Sequence, residues 1–349
     1  MKKILLIFTL VFSLFAESLQ KLDSTNFRES LNLKNDMEAF YLLYGKYDGV
    51  EQEAYLHIKK NYDRKYIANI KLPKQDNINI DIMLDSKDLK FGLNNDMLFI
   101  NGSYNGVDFS FTQDSNAKLN KIYFVESSIS KKINVNDKYR SEVTYEDVIT
   151  KPIILDSSFK NVDVLNKSMS NALNIEELEE NLDSTLQDKM NDYGEIDFNV
   201  NFSSNDSVAY IDDDILEIDT FIYEYTGGAH GYSMETMQLY DINSGEKLPS
   251  KFEEVFDINN DDEFLALLSS YLEPQKDRLF IFPIDTLPSS FFIRSDGIIF
   301  MWDIYQIAPY VSGMITTKIS FDEIKDWLKD GVVKDYINKR INNARSNNK

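Results

Sequence analysis

Ile215–Tyr225 reads ILEIDTFIYEY, Thr226–Gly231 reads TGGAHG, and Tyr232–Tyr240 reads YSMETMQLY. β-Branched and aromatic residues fill both flanks, so the stretch predicts a long strand, a glycine-rich turn and a return strand. Three glycines fall in the five residues Gly227–Gly231, in a chain with only 13. Glycine is concentrated where the backbone needs positive φ or a close approach. His230, one of two histidines, lies at the tip of the hairpin. Its imidazole and the turn amides can face a ligand, or the ring can bond backbone carbonyls and pin the turn. Catalysis at His230 would need a nucleophile or metal co-ligands, and the chain contains neither G-x-S-x-G nor H-E-x-x-H.

Downstream, Asp241–Gly245 (DINSG) reads as a turn and Asp262–Tyr271 as a short helix stopped ahead of Pro274. Phe291–Arg294, the Ser295-Asp296-Gly297 turn and Ile298–Trp302 read as a second hairpin. The two hairpins are expected to share one sheet, which would bring His230 near Tyr305–Tyr310. Ser320 and Glu323 have capping-box spacing ahead of the apolar stripe Ile324, Trp327 and Leu328, and the tail from Asn342 is expected to fray. Upstream, Glu142–Leu155 reads as a strand broken at Lys151-Pro152. Residues 158–190 are helical in pattern, through Phe159, Val162, Leu165, Met169, Leu173, Leu178, Leu182, Leu186 and Met190. Ile196–Phe202 and Ser207–Tyr210 read as two short strands.

Residues 17–140 carry strand signals almost throughout, with Asn105-Gly106 as the sharpest hairpin signal. The polar run Ile129–Asp137 marks the expected boundary. His57, inside the strand AYLHI, reads as a satisfied structural histidine. The expected fold class is α+β, an N-terminal antiparallel β module followed by an α+β domain of antiparallel sheet and packed helices. The expected organisation is a leader at 1–16, the β module at 17–140, and the α+β domain at 141–330, in halves 141–210 and 211–330. The end of the C-terminal helix and its tail occupy 331–349.

Composition narrows the function classes. The chain has 349 residues, 37 Lys+Arg against 58 Asp+Glu, a formal charge of −21 and no cysteine. A balance so acidic repels phosphate backbones and excludes nucleic acid as a partner, while attracting basic proteins or metal cations. Lys2 and Lys3 precede the 13-residue apolar run Ile4–Ala16, which is too short for a span and has the form of a secretory signal. Its removal takes away two lysines and no acid, moving the charge from −21 to −23. A periplasmic or secreted protein without a lipidation cysteine or a membrane span is expected. Asp257–Glu263 imitates a calcium loop, but Asp262 and Leu268 stand where glycine and a bidentate glutamate belong. Asp212-Asp213-Asp214 reads as a solvated turn. No cofactor and no metal is expected.

YEYTGGAHGYS, LYDINSGEKL and FFIRSDGIIFMWDIYQIAPYVSGMITTKISFDEI resemble the extracytoplasmic RsiV-type domain. That domain occurs in lysozyme-sensing anti-sigma factors and beside peptidoglycan deacetylase domains of the PdaC type. The resemblance covers about Glu142–Leu328, its upstream half resembling the companion domain that precedes the RsiV-type one. The matched positions are Thr226 to Gly231, Asp241, Gly245, Asp296, Gly297, Tyr305, Ile307 to Tyr310 and Gly313. With 16 residues ahead of the exported part, neither a cytoplasmic anti-sigma segment nor a deacetylase domain is expected. The resemblance implies a non-enzymatic envelope protein that recognises a muramidase such as lysozyme, or another cell-wall-linked ligand. Peptidoglycan fragments are the alternative ligand, and a paired-carboxylate cell-wall hydrolase is the third reading. The candidate binding residues are Gly227, Gly228, His230, Tyr232, Trp302, Tyr305, Pro309 and Tyr310, with no catalytic or metal residue assigned.

Overall fold

A computed structural model describes residues 19–347, apart from 24, 35, 61–64, 74–77, 85, 135–141, 156–158, 170–178, 181–182, 185–186, 188–197 and 259–260. The leader at 1–16, the helical positions Leu173, Leu178, Leu182, Leu186 and Met190, and Asn259-Asn260 of the calcium-loop imitation lie outside the described residues. Among the described residues no helix is long and apolar enough to cross a membrane. The chain forms two compact units that divide between Lys121 and Ile122, ahead of the polar run expected to mark the boundary.

The first unit holds β1 (Leu19–Leu22), α1 (Phe27–Ser30), β2 (Met37–Tyr47), β3 (Val50–Lys60), β4 (Tyr66–Lys71), β5 (Asn79–Met83), β6 (Leu89–Asn94), β7 (Met97–Tyr104) and β8 (Val107–Gln113). Its strands run β1-β6-β7-β8-β2-β3-β4-β5, and the described ladders are antiparallel. Asp48-Gly49, Asn95-Asp96 and Asn105-Gly106 all take positive φ. Paired positive φ values match the right-handed twist of the strands they join. Leu43, Leu56, Ile58, Ile70 and Ile80 are fully buried on one face. His57 Nε2 stands 3.0 Å from Glu38 Oε2, as a structural histidine would.

The second unit opens with β9 (Lys121–Asn134), β10 (Glu142–Ile153), α2 (Val162–Met169), β11 (Val200–Ile211), β12 (Ile215–Tyr225), β13 (Tyr232–Asp241) and β14 (Lys247–Leu248). These strands are ordered β9-β10-β11-β12-β13-β14. Among the described residues only β10 and β11 pair in parallel, with α2 in the connection between them. The expected break at Lys151-Pro152 does not occur. The β11 ladder ends at Thr150, so at Pro152 the strand pairs only with β9, where a missing donor is tolerated. The two short strands expected around Phe202 and Tyr210 are one strand, β11, with a bulge at Ala209 that shifts the register between Val208 and Tyr210.

There follow α3 (Phe252–Val255), α4 (Asp261–Leu272), β15 (Ser290–Ile293), β16 (Gly297–Trp302), β17 (Ile315–Ser320), α5 (Phe321–Ile324) and α6 (Val332–Asn347). β15, β16 and β17 form their own antiparallel sheet, so the two hairpins flanking the candidate site do not share one. Phe256, Phe264, Phe291, Phe300 and Trp302 are fully buried in a core that also takes Ile215, Met237 and Leu239 from the larger sheet. Glu217 on β12 joins the sheets. It accepts hydrogen bonds from the Ile293 amide (2.6 Å) and from Arg294 (2.8 Å) with no exposure. Burial pushes its carboxyl up to about 7, against the pull of Arg294.

Asp212-Asp213-Asp214 is more than a solvated turn. Asp212 accepts from the amides of Asp214 and Ile215 and from the hydroxyls of Tyr210 and Tyr336, and it pairs with Arg340. Lys339 bonds Asp214 at 2.6 Å. These contacts hold α6 in place, and the helix continues to Asn347 where fraying was expected. The helix expected to start at Ser320 is instead the single turn α5 and a 3-10 turn at Lys325–Trp327, with α6 starting only at Val332. The Ser320 side chain bonds the Glu323 carboxylate and does not cap α5.

Candidate functional site

The β12–β13 hairpin stays in register from Ile215 opposite Asp241 to Glu224 opposite Tyr232. At its tip Gly227 has φ 94° and Gly228 φ 92°, conformations that L side chains rarely adopt. A Cβ on Gly227 would lie 3.0 Å from the Phe198 ring, and one on Gly231 would lie 2.5 Å from the Tyr223 ring. Gly228 faces open space, so its requirement is conformational alone. The Tyr225 hydroxyl donates to the Gly228 carbonyl at 3.1 Å and closes the turn.

The facing loop leaves β16 at Trp302. The Gln306 side chain accepts from the Asp303 amide and donates to the Leu287 carbonyl, both at 2.9 Å. The Gln306 amide donates back to the Asp303 carbonyl at 3.0 Å. Inside this closed turn Tyr305 has φ 70°. Ile307 and Ala308 are buried, Pro309 sits at φ −66°, and a 3-10 turn runs Tyr310–Ser312 before Gly313 at φ 67°. The Tyr305 and Tyr310 rings thus leave a segment fixed at both ends.

Three rings meet here. His230 stacks on Tyr310 with centroids 3.8 Å apart and planes 20° from parallel, and Tyr305 lies 5.7 Å from Tyr310. His230 Nδ1 is 3.1 Å from the Gly231 carbonyl, which can only accept, so Nδ1 carries a proton. In the neutral ring Nε2 is then the acceptor for the Tyr305 hydroxyl, 3.2 Å away. The histidine therefore pins the turn and orients the tyrosines together. The arrangement offers ring faces and a phenol to a ligand.

The eight sequence candidates divide. His230, Tyr305 and Tyr310 are in mutual contact, Pro309 shapes their loop, and Gly227 and Gly228 shape the turn. Tyr305 is 50% and Tyr232 41% exposed. Trp302 is a correction. It has 0% exposure and its indole donates to the Thr286 carbonyl at 2.8 Å, so it is core and presents no face to a ligand. Asp303 was missed, although WDIYQIAPY places it between Trp302 and Tyr305. Burial raises its carboxyl, while the Ser289 hydroxyl and Glu235 amide oppose the shift. The Tyr232 phenol is raised by burial first and then by the Asp303 charge. Among the described residues no group of three or more His, Asp or Glu is arranged to hold a metal.

Residues 248–322 match the family described as "Protein of unknown function (DUF3298)". No curated protein matches the chain. The chain is similar to the crystal structure of a DUF3298 family member from Bacteroides fragilis NCTC 9343, at 18% identity and TM-score 0.43, over 62% of this chain and 97% of that one. It is also similar to a DUF3298 family protein from Pseudomonas aeruginosa PAO1, at 15% identity and TM-score 0.36, over 58% and 94%. The His230 hairpin precedes the matched residues, whereas Tyr305, Pro309 and Tyr310 lie within the stretch of this chain, 248–322, that matches DUF3298.

Proposed function

We propose that this chain is an exported, non-enzymatic binding protein of the cell envelope, of the RsiV-like kind, and that its second unit recognises a muramidase such as lysozyme. Another cell-wall-linked ligand would use the same residues. The observation that carries this reading is the ring cluster of His230, Tyr305 and Tyr310, held on two stiff turns with Tyr305 half exposed. Rings fixed in advance lose little conformational entropy on contact, and tyrosine is enriched among residues that dominate interface energies. The charge of −21 suits a basic partner, drawn in by long-range steering. Calorimetric titration with lysozyme at low and at physiological salt tests the reading. Binding that weakens with salt supports it, and no heat at either salt removes lysozyme as the partner.

A second reading, binding of peptidoglycan fragments, is favoured by the exposure of Tyr232 beside the same turn, since a phenol ring can stack on a sugar. Co-sedimentation with purified peptidoglycan supports that reading, and its absence removes it.

A further inference from the structure

Leu279–Ser289 connects α4 and its following turn to β15, and its first residues are apolar yet face solvent. Phe280 is 57%, Ile281 58% and Phe282 36% exposed. This segment lies against the loop that carries the tyrosines. The Phe280 amide donates to the Ile307 carbonyl at 2.9 Å, and Arg278 donates to the Ser312 carbonyl at 2.6 Å. Between those contacts Val311 stands 91% exposed, with Tyr305 at 50% on the same loop. Two hydrogen-bonded segments thus carry the exposed apolar side chains Phe280, Ile281, Phe282 and Val311. Exposed apolar patches beyond a few hundred Å² mark interaction sites more often than chance surface.

We propose that Phe280, Ile281, Phe282 and Val311, on these two bonded segments, form a ridge that is the apolar centre of a docking surface for a protein with a basic surface. The inference rests on the binding reading above and deepens it, because it assigns the contact to residues outside the ring cluster and favours a protein over a glycan. A sugar chain needs a ring face or two, whereas a protein needs about 800 Å² per partner around an apolar centre with a charged rim. The rim is acidic. Lys276 is spent on Glu273 at 2.6 Å, and the Arg278 guanidinium is turned onto Ser312 and Gln275. Asp277 and Asp285 are exposed and make no ion pair among the described residues. That rim, on a chain of charge −21, repels a second copy and an anionic lipid surface and attracts cationic side chains.

The test is titration of lysozyme, as the basic probe protein, into the full chain carrying Ile281→Asp or Val311→Asp. Both positions face solvent, so the melting temperature of each variant should match the parent. The expected result is a loss of affinity of at least tenfold in each. Affinities within twofold of the parent, with binding lost in Tyr310→Ala, overturn the ridge and leave the ring cluster as the site. No binding by the parent removes the lysozyme reading and the ridge assignment with it. A dimer seen by sedimentation that Ile281→Asp dissociates gives the ridge to a second copy. Flotation with phosphatidylglycerol vesicles that Ile281→Asp abolishes gives it to lipid. Either result overturns the proposal.

Discussion

Tyr305 holds φ 70° inside a turn closed by Gln306, a conformation that costs an L residue about 1–2 kcal/mol and glycine almost nothing. Replacing it by Gly and by Ala separates that strain from the contacts of the ring. Both variants lose the Tyr305 hydroxyl bond to His230 and the packing on Tyr310, together worth about 1 kcal/mol at a half-exposed site. They differ in backbone alone. Alanine keeps the strain, while glycine relieves it and gains about 0.4–1 kcal/mol of unfolded-state freedom in exchange. The glycine variant should therefore be the more stable by about 0.5–1 kcal/mol. At ordinary φ the order is reversed, and Val311, fully solvated in the neighbouring 3-10 turn, supplies that control. Urea unfolding reads the difference as a midpoint higher by roughly 0.2–0.5 M for Gly than for Ala. A Tyr305→Ala variant as stable as Tyr305→Gly, or more so, would refute the claim that a strained loop holds the ring in place.

Asp147 is 7% exposed, one of its oxygens has no hydrogen bond, and burial pushes its carboxyl up to about 6. The native state then holds the proton more tightly than the unfolded state. The stability it contributes is full below about pH 4 and is lost as pH rises through 6. Asp147→Asn should exceed the parent by about 1–2 kcal/mol at pH 7 and match it at pH 4 in urea unfolding, and a difference independent of pH would contradict this. Trp302→Ala should cost about 3–5 kcal/mol by opening a core cavity, and a variant that melts like the parent would return Trp302 to the surface. Gly228→Val should cost about 1–3 kcal/mol by circular-dichroism melts although its Cβ meets no atom, and unchanged stability would show that φ 92° is not required.

Much of the fold is legible locally. ILEIDTFIYEY and YSMETMQLY carry strand composition on both sides of a glycine turn, and they pair as β12 and β13. Asn105-Gly106 supplies the positive φ pair that joins β7 to β8. What escaped is tertiary. Pro152 ends a strand only where a neighbour needs the donor it lacks, and here the β11 ladder has already stopped. The polar run Ser203–Asp206 makes one strand look like two, because composition does not show that Asn205 and Asp206 are bonded by Thr150, Lys151 and Thr220 of the neighbouring strands. The TGGAHG turn and the Tyr305–Tyr310 loop do meet, but across two sheets, a packing that no hairpin pattern encodes. Trp302 looked like a ring for a ligand because composition does not distinguish a buried indole from an exposed one. Its partner, the Thr286 carbonyl, sits 16 residues away. The ridge at Phe280–Phe282 carried no signal, since its apolar sequence reads as core.

The rings gathered around His230 are the proposed binding surface for a basic protein. Calorimetric titration of lysozyme into the parent chain and into Tyr310→Ala, at low and at physiological salt, tests it most directly. Tyr310 packs face to face on His230, and as an interface anchor its loss should weaken binding by about 2 kcal/mol, roughly 30-fold, with unfolding nearly unchanged. Salt-sensitive binding by the parent, with that loss in the variant, is the expected result. Equal affinity in a well-folded variant, or no binding by the parent at either salt, would contradict it.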